Sequence, residues 1–157
     1  MRYIIDISMN ILSVEKKDHR ELVELWQASV TASHDFLTQA DIAFLKPLIL
    51  NEYLDAVTLR CIKDASNKIL GFIGVADANI EMLFILPDNR GQGIGQALTR
   101  YAIEKMGANK VDVNEQNPQA LGFYQKLGFK VIGRSPLDGQ GKPFPLLHLT
   151  LSWAWVN

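Results

Sequence analysis

A glycine-rich hexapeptide carries the strongest chemical signal in this sequence. Its residues are Arg90, Gly91, Gln92, Gly93, Ile94 and Gly95. The hexapeptide follows an apolar run at 80–86 and opens a helical pattern at 96–106. Such a turn leaves backbone N–H groups bare at the positive end of a helix, where they bind pyrophosphate. The sequence therefore predicts a nucleotide-like cofactor, with Arg90 and the residues from Gln92 through Gln96 around its phosphates.

The spacing of the glycines excludes two common nucleotide-binding motifs. The dinucleotide fingerprint G-x-G-x-x-G fails in both registers, because the third glycine position holds Gln96 in one and Leu98 in the other. The P-loop fails because no G-K-[ST] follows the turn. The pattern that remains is R-x-x-G-x-G.

A second motif lies about 25 residues further along the chain. It reads N-x-x-A-x-x-F-Y-x-x-x-G-F, from Asn117 through Tyr124 to Phe129. Together with R-x-x-G-x-G, and with Pro87 just before it, this block resembles the GNAT N-acetyltransferase superfamily over roughly residues 10–152. The segments 34–37, 113–117, 141–143 and 145–147 most resemble the small bacterial members of that superfamily.

The resemblance implies a fold and a reaction. The implied fold is the α/β (α+β) acyl-CoA N-acyltransferase fold, a mixed, mostly antiparallel central sheet flanked by helices with a βαβ crossover at the cofactor site. The implied reaction moves an acetyl group from acetyl-CoA to a primary amine by direct attack in a ternary complex, without a metal. A small molecule, a protein lysine or a protein N-terminus are all open as acceptors.

Two residues are the candidates for proton transfer. Tyr124 matches the tyrosine of the family that protonates the leaving thiolate, and the alternative is that its ring merely packs beside Phe123 as helix core. Glu81 is the leading candidate for the base that deprotonates the amine, because a charge inside an apolar strand is otherwise costly. A solvated position at the end of the strand would also explain Glu81.

The resemblance also assigns binding roles. The backbone of Leu83, Phe84 and Ile85 should pair with the pantetheine arm, and an N–H near Phe84 or Ile85 should polarise the thioester carbonyl. Asn117 should hydrogen-bond the same arm, and an Asn before proline is also an ordinary helix N-cap. Expected acceptor-pocket residues are His34, Asp35 and Phe36. His148, in the last strand pattern, is expected to be a packed or edge residue rather than a base.

The order of elements read from periodicity agrees with a mixed sheet. Helices are predicted at 18–30, from Thr38 as N-cap until Pro47 kinks or ends the helix, at 96–106 and at 118–127. The region up to Tyr53 is predicted to be helical but interrupted. Asp18 and Glu21 resemble a capping box for the first of them. Strands are predicted at 10–14, 57–63, 69–76, 80–86, 110–113, 129–134 and 147–153.

Composition limits the possible classes of protein. The 157 residues, 48% of them apolar, suit one domain over 1–157. The family resemblance implies a start near Met9, with residues 1–8 as an N-terminal extension. A net charge of −1 and a pI near 6.3 give no electrostatic footprint for nucleic acid or a membrane. Cys61 is the single cysteine of the sequence, so an internal disulfide is excluded. A sequence without disulfides suits the reducing cytoplasm. A monomer and a homodimer both remain open.

Two functions other than acetyl transfer are also compatible with parts of the sequence. A binding module could hold acyl-CoA as a sensor and catalyse nothing, although the presence of Tyr124 favours catalysis. A nucleotide-dependent oxidoreductase finds support in Asp112, which lies about 20 residues beyond the glycine turn, where a ribose-binding acid would be. The missing third glycine and the second motif argue against the oxidoreductase.

Overall fold

A computed structural model describes residues 9–33 and 37–152. Their strands form one seven-stranded sheet in the order β1-β2-β3-β4-β5-β7-β6. The strands are β1 (Leu12–Ser13), β2 (Thr58–Lys63), β3 (Ile69–Ala76), β4 (Asn79–Ile85), β5 (Lys110–Asn114), β6 (Phe129–Ser135) and β7 (Leu146–Leu151). The α-helices are α1 (His19–Ser33), α2 (Gln39–Leu48), α3 (Ile94–Lys105) and α4 (Pro118–Lys126). Short 3₁₀ turns lie at Lys16–Asp18, Leu54–Ala56 and Pro87–Asn89.

The sheet is mixed and mostly antiparallel, which confirms the predicted fold class. β2, β3 and β4 form an antiparallel meander, and β5 pairs antiparallel with β7. Only β4 and β5 run parallel, and α3 crosses between them. This β4-α3-β5 unit is the predicted crossover and places the glycine turn at the carboxyl end of β4.

Two hydrophobic cores cover the two faces of the sheet. Successive residues of β3 belong to different cores, Phe72 to one and Ile73 to the other, because side chains alternate along a strand. The core around Phe72 includes Leu22 and Trp26 of α1. The core around Ile73 includes Leu98 of α3. The helices before β2 and those after β4 therefore pack on opposite faces.

The start of α1 differs from the prediction. The capping box joins Glu15 and Asp18, one turn earlier than expected, and begins the 3₁₀ turn that leads into the helix. Glu21 does not take part, because its carboxylate accepts a hydrogen bond from the backbone N–H of Ile69 at 2.8 Å. A tertiary contact to β3 thus replaces the local contact that the spacing suggested.

The second helix begins as predicted, and the chain up to Tyr53 is helical but interrupted, as expected from Pro47. The Thr38 side chain accepts from the N–H of Asp41, which completes a capping box. Pro47 lies inside α2, and the chain continues beyond Leu48 as a π-helical turn over Ile49–Tyr53. A proline removes one backbone donor, and a wider turn is one way in which a helix accommodates that loss. No helix in the described residues is long and apolar enough to cross a membrane.

Candidate active site

A gap between β4 and β5 creates a cavity that is larger than the one on the α1 side of the sheet. The two strands pair only at Asn79 with Lys110 and at Ile80 with Val111, and then diverge. The resulting larger cavity has a volume of about 620 Å³. Its lining comes from residues 80–85, 89–91, 93–96, 111–114, 117, 119, 120, 123 and 124, with Ser29 from α1. Every residue predicted to contact the cofactor lies in this lining except Gln92.

A β-bulge in β4 decides which side chains face which side of the sheet. Met82 pairs with Gly74 and Ile80 pairs with Val75, so Glu81 is the extra residue. Beyond the bulge, Leu83 and Ile85 pack on the core of α3, whereas Met82 and Phe84 pack on the core of α1. The bulge leaves Glu81 outside both cores, with its side chain exposed.

The hydrogen bonds of β4 indicate which backbone groups face the gap. The N–H of Leu86 donates to the carbonyl of Leu70 at 2.9 Å. In an antiparallel pair, the N–H groups of successive residues point alternately toward the partner strand and away from it. The N–H of Phe84 therefore also points toward β3, and those of Leu83 and Ile85 point toward the gap. Of the two N–H groups considered for carbonyl polarisation, the geometry favours Ile85 and disfavours Phe84.

The glycine turn has the backbone expected of an anion cradle. Gly91 and Gly93 have positive φ angles of 78° and 84°, and Gly93 is the N-cap of α3. No side chain caps this helix end, so its first N–H groups face the larger cavity. Positive φ is the conformation that favours glycine, which explains the residue type at both positions.

The polar side chains of the turn behave differently from one another. Arg90 donates to both the carbonyl and the hydroxyl of Ser29, each at 3.1 Å, and so ties the turn to the end of α1. Gln92 accepts from the amide of Asn89 and does not line the cavity, because its side chain projects into solvent. Gln96, on the first turn of α3, lines the larger cavity.

Tyr124 both packs against neighbouring aromatic rings and lines the larger cavity. Its ring makes edge contacts with Phe123 and Phe129, at centroid distances of 5.0 and 5.6 Å. The same residue is 7% exposed and lines the larger cavity. Burial raises the pKa of the phenol well above its ordinary value, so the group keeps its proton. Asn117 caps α4 through the N–H of Ala120 and also lines the cavity.

A smaller cavity of about 480 Å³ lies on the α1 and α2 side of β4. Trp26 and Val30 of α1 and Leu45 of α2 contribute to its walls. Four residues line both cavities: Glu81, Met82, Phe84 and Asn114. The two cavities therefore meet at the bulge of β4 and at the end of β5.

Glu81 stands where the cavities meet. Its carboxylate accepts a hydrogen bond from the side-chain amide of Asn79. The residue is exposed and lies near the start of β4, which agrees with the alternative of a solvated glutamate at the end of the strand. It also lines both cavities. The position gives a carboxylate access to groups bound on either side of β4.

His148 links three strands beside the larger cavity. Its ring nitrogens lie 2.6 Å from Asp112 on β5 and 2.6 Å from the hydroxyl of Ser135 on β6. The order of groups resembles a Ser-His-Asp relay, yet neither cavity is lined by Ser135 or His148. His148 is thus a sheet residue, as expected, and Asp112 is the member of this relay that lines the larger cavity.

Several site features escaped the sequence reasoning. The walls of the smaller cavity looked like the apolar faces of ordinary core helices, and no pattern separates a pocket wall from a core. The bulge at Glu81 had no signal in the strand either. The predicted acceptor residues His34, Asp35 and Phe36 lie outside the described residues. Within residues 9–33 and 37–152, no group of three potential metal ligands comes together.

Comparison with known proteins identifies the family. The model of the acetyltransferase (GNAT) domain matches residues 31–144. The chain belongs to the GNAT acetyltransferase family. The peptidyl-lysine N-acetyltransferase YjaB of Salmonella typhimurium is 41% identical over 141 residues, which cover 90% of this chain and 97% of the relative.

Solved structures agree with this GNAT assignment. The solution structure of apo YjaB from Escherichia coli matches with a TM-score of 0.78 at 39% identity, covering 90% of this chain and 96% of that one. The PaiA N-acetyltransferase of Thermoplasma acidophilum, solved in complex with coenzyme A, shares the fold at a TM-score of 0.65 and 21% identity, over 92% of this chain and 99% of that one. This GNAT chain is an acyltransferase enzyme that transfers acetyl groups to amines.

Proposed function

We propose that this N-acetyltransferase uses acetyl-CoA in the larger cavity and binds its amine acceptor in the smaller one. The observation that supports the proposal is the meeting of the two cavities at Glu81, Met82 and Phe84. A thioester on one side of β4 and an amine on the other would approach each other there. Such an arrangement suits direct attack in a ternary complex, because proximity replaces a covalent intermediate.

The glycine turn and β4 would hold the cosubstrate along its length. The free N–H groups at the start of α3 suit the pyrophosphate, and Gly91 and Gly93 allow close approach. The backbone groups of Leu83 and Ile85 that face the gap suit the amides of the pantetheine arm, as an added strand would. Asn117 would contribute its side-chain NH₂, since only its oxygen serves the helix cap.

Three groups would carry the chemistry. Glu81 would accept the proton of the ammonium form, directly or through water, to give the neutral nucleophile. The N–H of Ile85 would stabilise the oxyanion of the tetrahedral intermediate. Tyr124 would donate its proton to the departing thiolate, whose ordinary pKa near 8.5 makes it a fair leaving group.

A protein lysine is one candidate acceptor. The YjaB relatives are named peptidyl-lysine N-acetyltransferases, and a lysine side chain would present its amine to Glu81 from the smaller cavity.

The free thiol of Cys61 is buried, which suits a reducing compartment such as the cytoplasm.

Titration and turnover together test the proposed function. Calorimetry should show acetyl-CoA binding in the micromolar range and no comparable binding of NADH. Thiol release should then follow the addition of primary amines. Binding without release for any amine would leave the chain as a binding module, and preferential binding of NADH would overturn the cofactor assignment.

Glu81→Gln should lower kcat/KM for an amine roughly 10- to 100-fold at neutral pH, because the amide cannot accept the proton. The loss should shrink as the pH approaches the pKa of the amine, near 10.4 for a lysine, where the nucleophile is already neutral. The measurement is the pH profile of kcat/KM by thiol release.

Glu104→Gln is the matched control, since Glu104 is an exposed glutamate on α3 that lines neither cavity. It should leave the profile unchanged. An equal loss at every pH in Glu81→Gln would exclude Glu81 as the base.

A further inference from the structure

We infer that the smaller cavity selects a primary amine that carries one positive charge and a bulky apolar group, and that it discriminates against polyamines. The inference rests on the proposed function, in which this cavity holds the acceptor. It is argued from the lining, the charge and the size of the cavity.

The lining of the smaller cavity is dominated by apolar and aromatic side chains. Trp26, Ile49 and Phe84 are among them, and they come from three different elements. Further apolar contributions come from Val30, Leu37, Leu45, Val57, Ala76 and Met82. When such a wall covers an apolar group, the free energy of binding becomes more favourable in proportion to the apolar area removed from water.

The described lining contains a single charged residue. That residue is Glu81, at the junction with the larger cavity. An ammonium next to Glu81 would be paired, whereas a second ammonium deeper in the cavity would be desolvated against apolar walls, which is costly. The hydroxyl of Tyr53, a neutral group, accepts a hydrogen bond from the side chain of Gln140.

The size of the cavity argues for a body larger than a lysine stem. A volume of about 480 Å³ lies in the range of small-molecule sites. The four methylenes of a lysine side chain would leave much of the apolar wall uncovered. An aromatic or branched group attached near the amine would fill it, either in a free arylalkylamine or in a peptide whose first residue is large and apolar.

The test compares amines that differ in one property at a time, with acetyl-CoA and thiol release as the readout. Hexylamine and hexamethylenediamine differ by one ammonium, and kcat/KM should favour hexylamine by roughly tenfold or more. Phenethylamine should exceed methylamine by at least roughly tenfold, because its ring is buried. Comparing kcat/KM for a peptide that begins with Phe and for phenethylamine distinguishes a peptide acceptor from a free arylalkylamine.

A charge placed in the wall should cancel the preference for the monoamine. Leu45→Glu puts a second carboxylate in the lining and should raise the ratio of diamine to monoamine kcat/KM by roughly tenfold. Ala43→Glu is the control, since Ala43 is exposed on the same helix and does not line the cavity. Thermal unfolding of both variants separates a change in selectivity from a loss of folding.

The outcomes distinguish this inference from the function on which it rests. No thiol release with any amine would overturn the proposed function itself. Turnover of hexamethylenediamine equal to or above that of hexylamine would overturn the inference and leave the function intact. If Leu45→Glu loses its fold, a folded Leu45→Gln should still lower the preference for phenethylamine, and an unchanged preference would count against the apolar wall.

Discussion

Gly93→Val is expected to weaken acetyl-CoA binding by more than roughly 100-fold, about 2.7 kcal/mol. Gly93 has a φ of 84° at the N-cap of α3, a conformation that a β-branched residue adopts only under strain. A valine side chain would also stand over the N–H groups that are proposed to hold the pyrophosphate. Calorimetric titration with acetyl-CoA measures the effect.

Gly107→Val separates backbone strain from loss of the cradle. Gly107 also has a positive φ, 72°, and open space where a Cβ would be, but it lies after the other end of α3 and outside both cavities. Both variants should lose a similar amount of thermal stability, and only Gly93→Val should lose affinity. Retained affinity in folded Gly93→Val would contradict the cradle.

Tyr124→Phe is expected to lower kcat by roughly 10²- to 10⁴-fold, the range for a positioned general acid. The affinity for acetyl-CoA should change little, because the ring contacts with Phe123 and Phe129 remain. Steady-state kinetics together with a binding titration measure the two effects separately. A variant with the kcat of the parent would remove Tyr124 from the mechanism.

The pH dependence adds a second readout for Tyr124. Burial raises the pKa of this phenol above its ordinary value of 10.0, so the proton is held as the pH rises. The parent enzyme should therefore show no loss of kcat between about pH 7 and pH 9.5 from ionisation of the acid. Tyr101→Phe, on α3 and outside both cavities, is the control and should keep the parent kcat at each pH.

The parts of the fold that follow from local patterns were predictable. β3 matches its predicted span of 69–76, and Thr38 caps α2 as predicted. The glycine turn was predicted from its position between an apolar run and a helical pattern, and the positive φ angles of Gly91 and Gly93 explain its residue types. Each of these features is determined by residues close together in sequence, which is where periodicity and capping rules apply.

The parts that depend on tertiary contacts were not predictable. Glu21 would have served a local cap, but the N–H of Ile69 in β3 takes its carboxylate. Arg90 was expected near phosphates, and it also binds Ser29 at the end of α1. The acceptor side was the weakest part of the prediction, because Trp26 or Leu45 on an amphipathic helix has the same pattern whether it faces a core or a cavity.

The bulge at Glu81 has a consequence for how such an enzyme can diversify. Beyond it, even-numbered side chains of β4, Met82 and Phe84, face the side proposed to bind the acceptor, and odd-numbered ones, Leu83 and Ile85, face the helix that carries the glycine turn. In the proposed arrangement the cosubstrate would be held mainly by backbone groups, which survive a change of side chain. Substitution of Met82 or Phe84 would then change which acceptors bind and leave the backbone groups proposed for the cosubstrate in place.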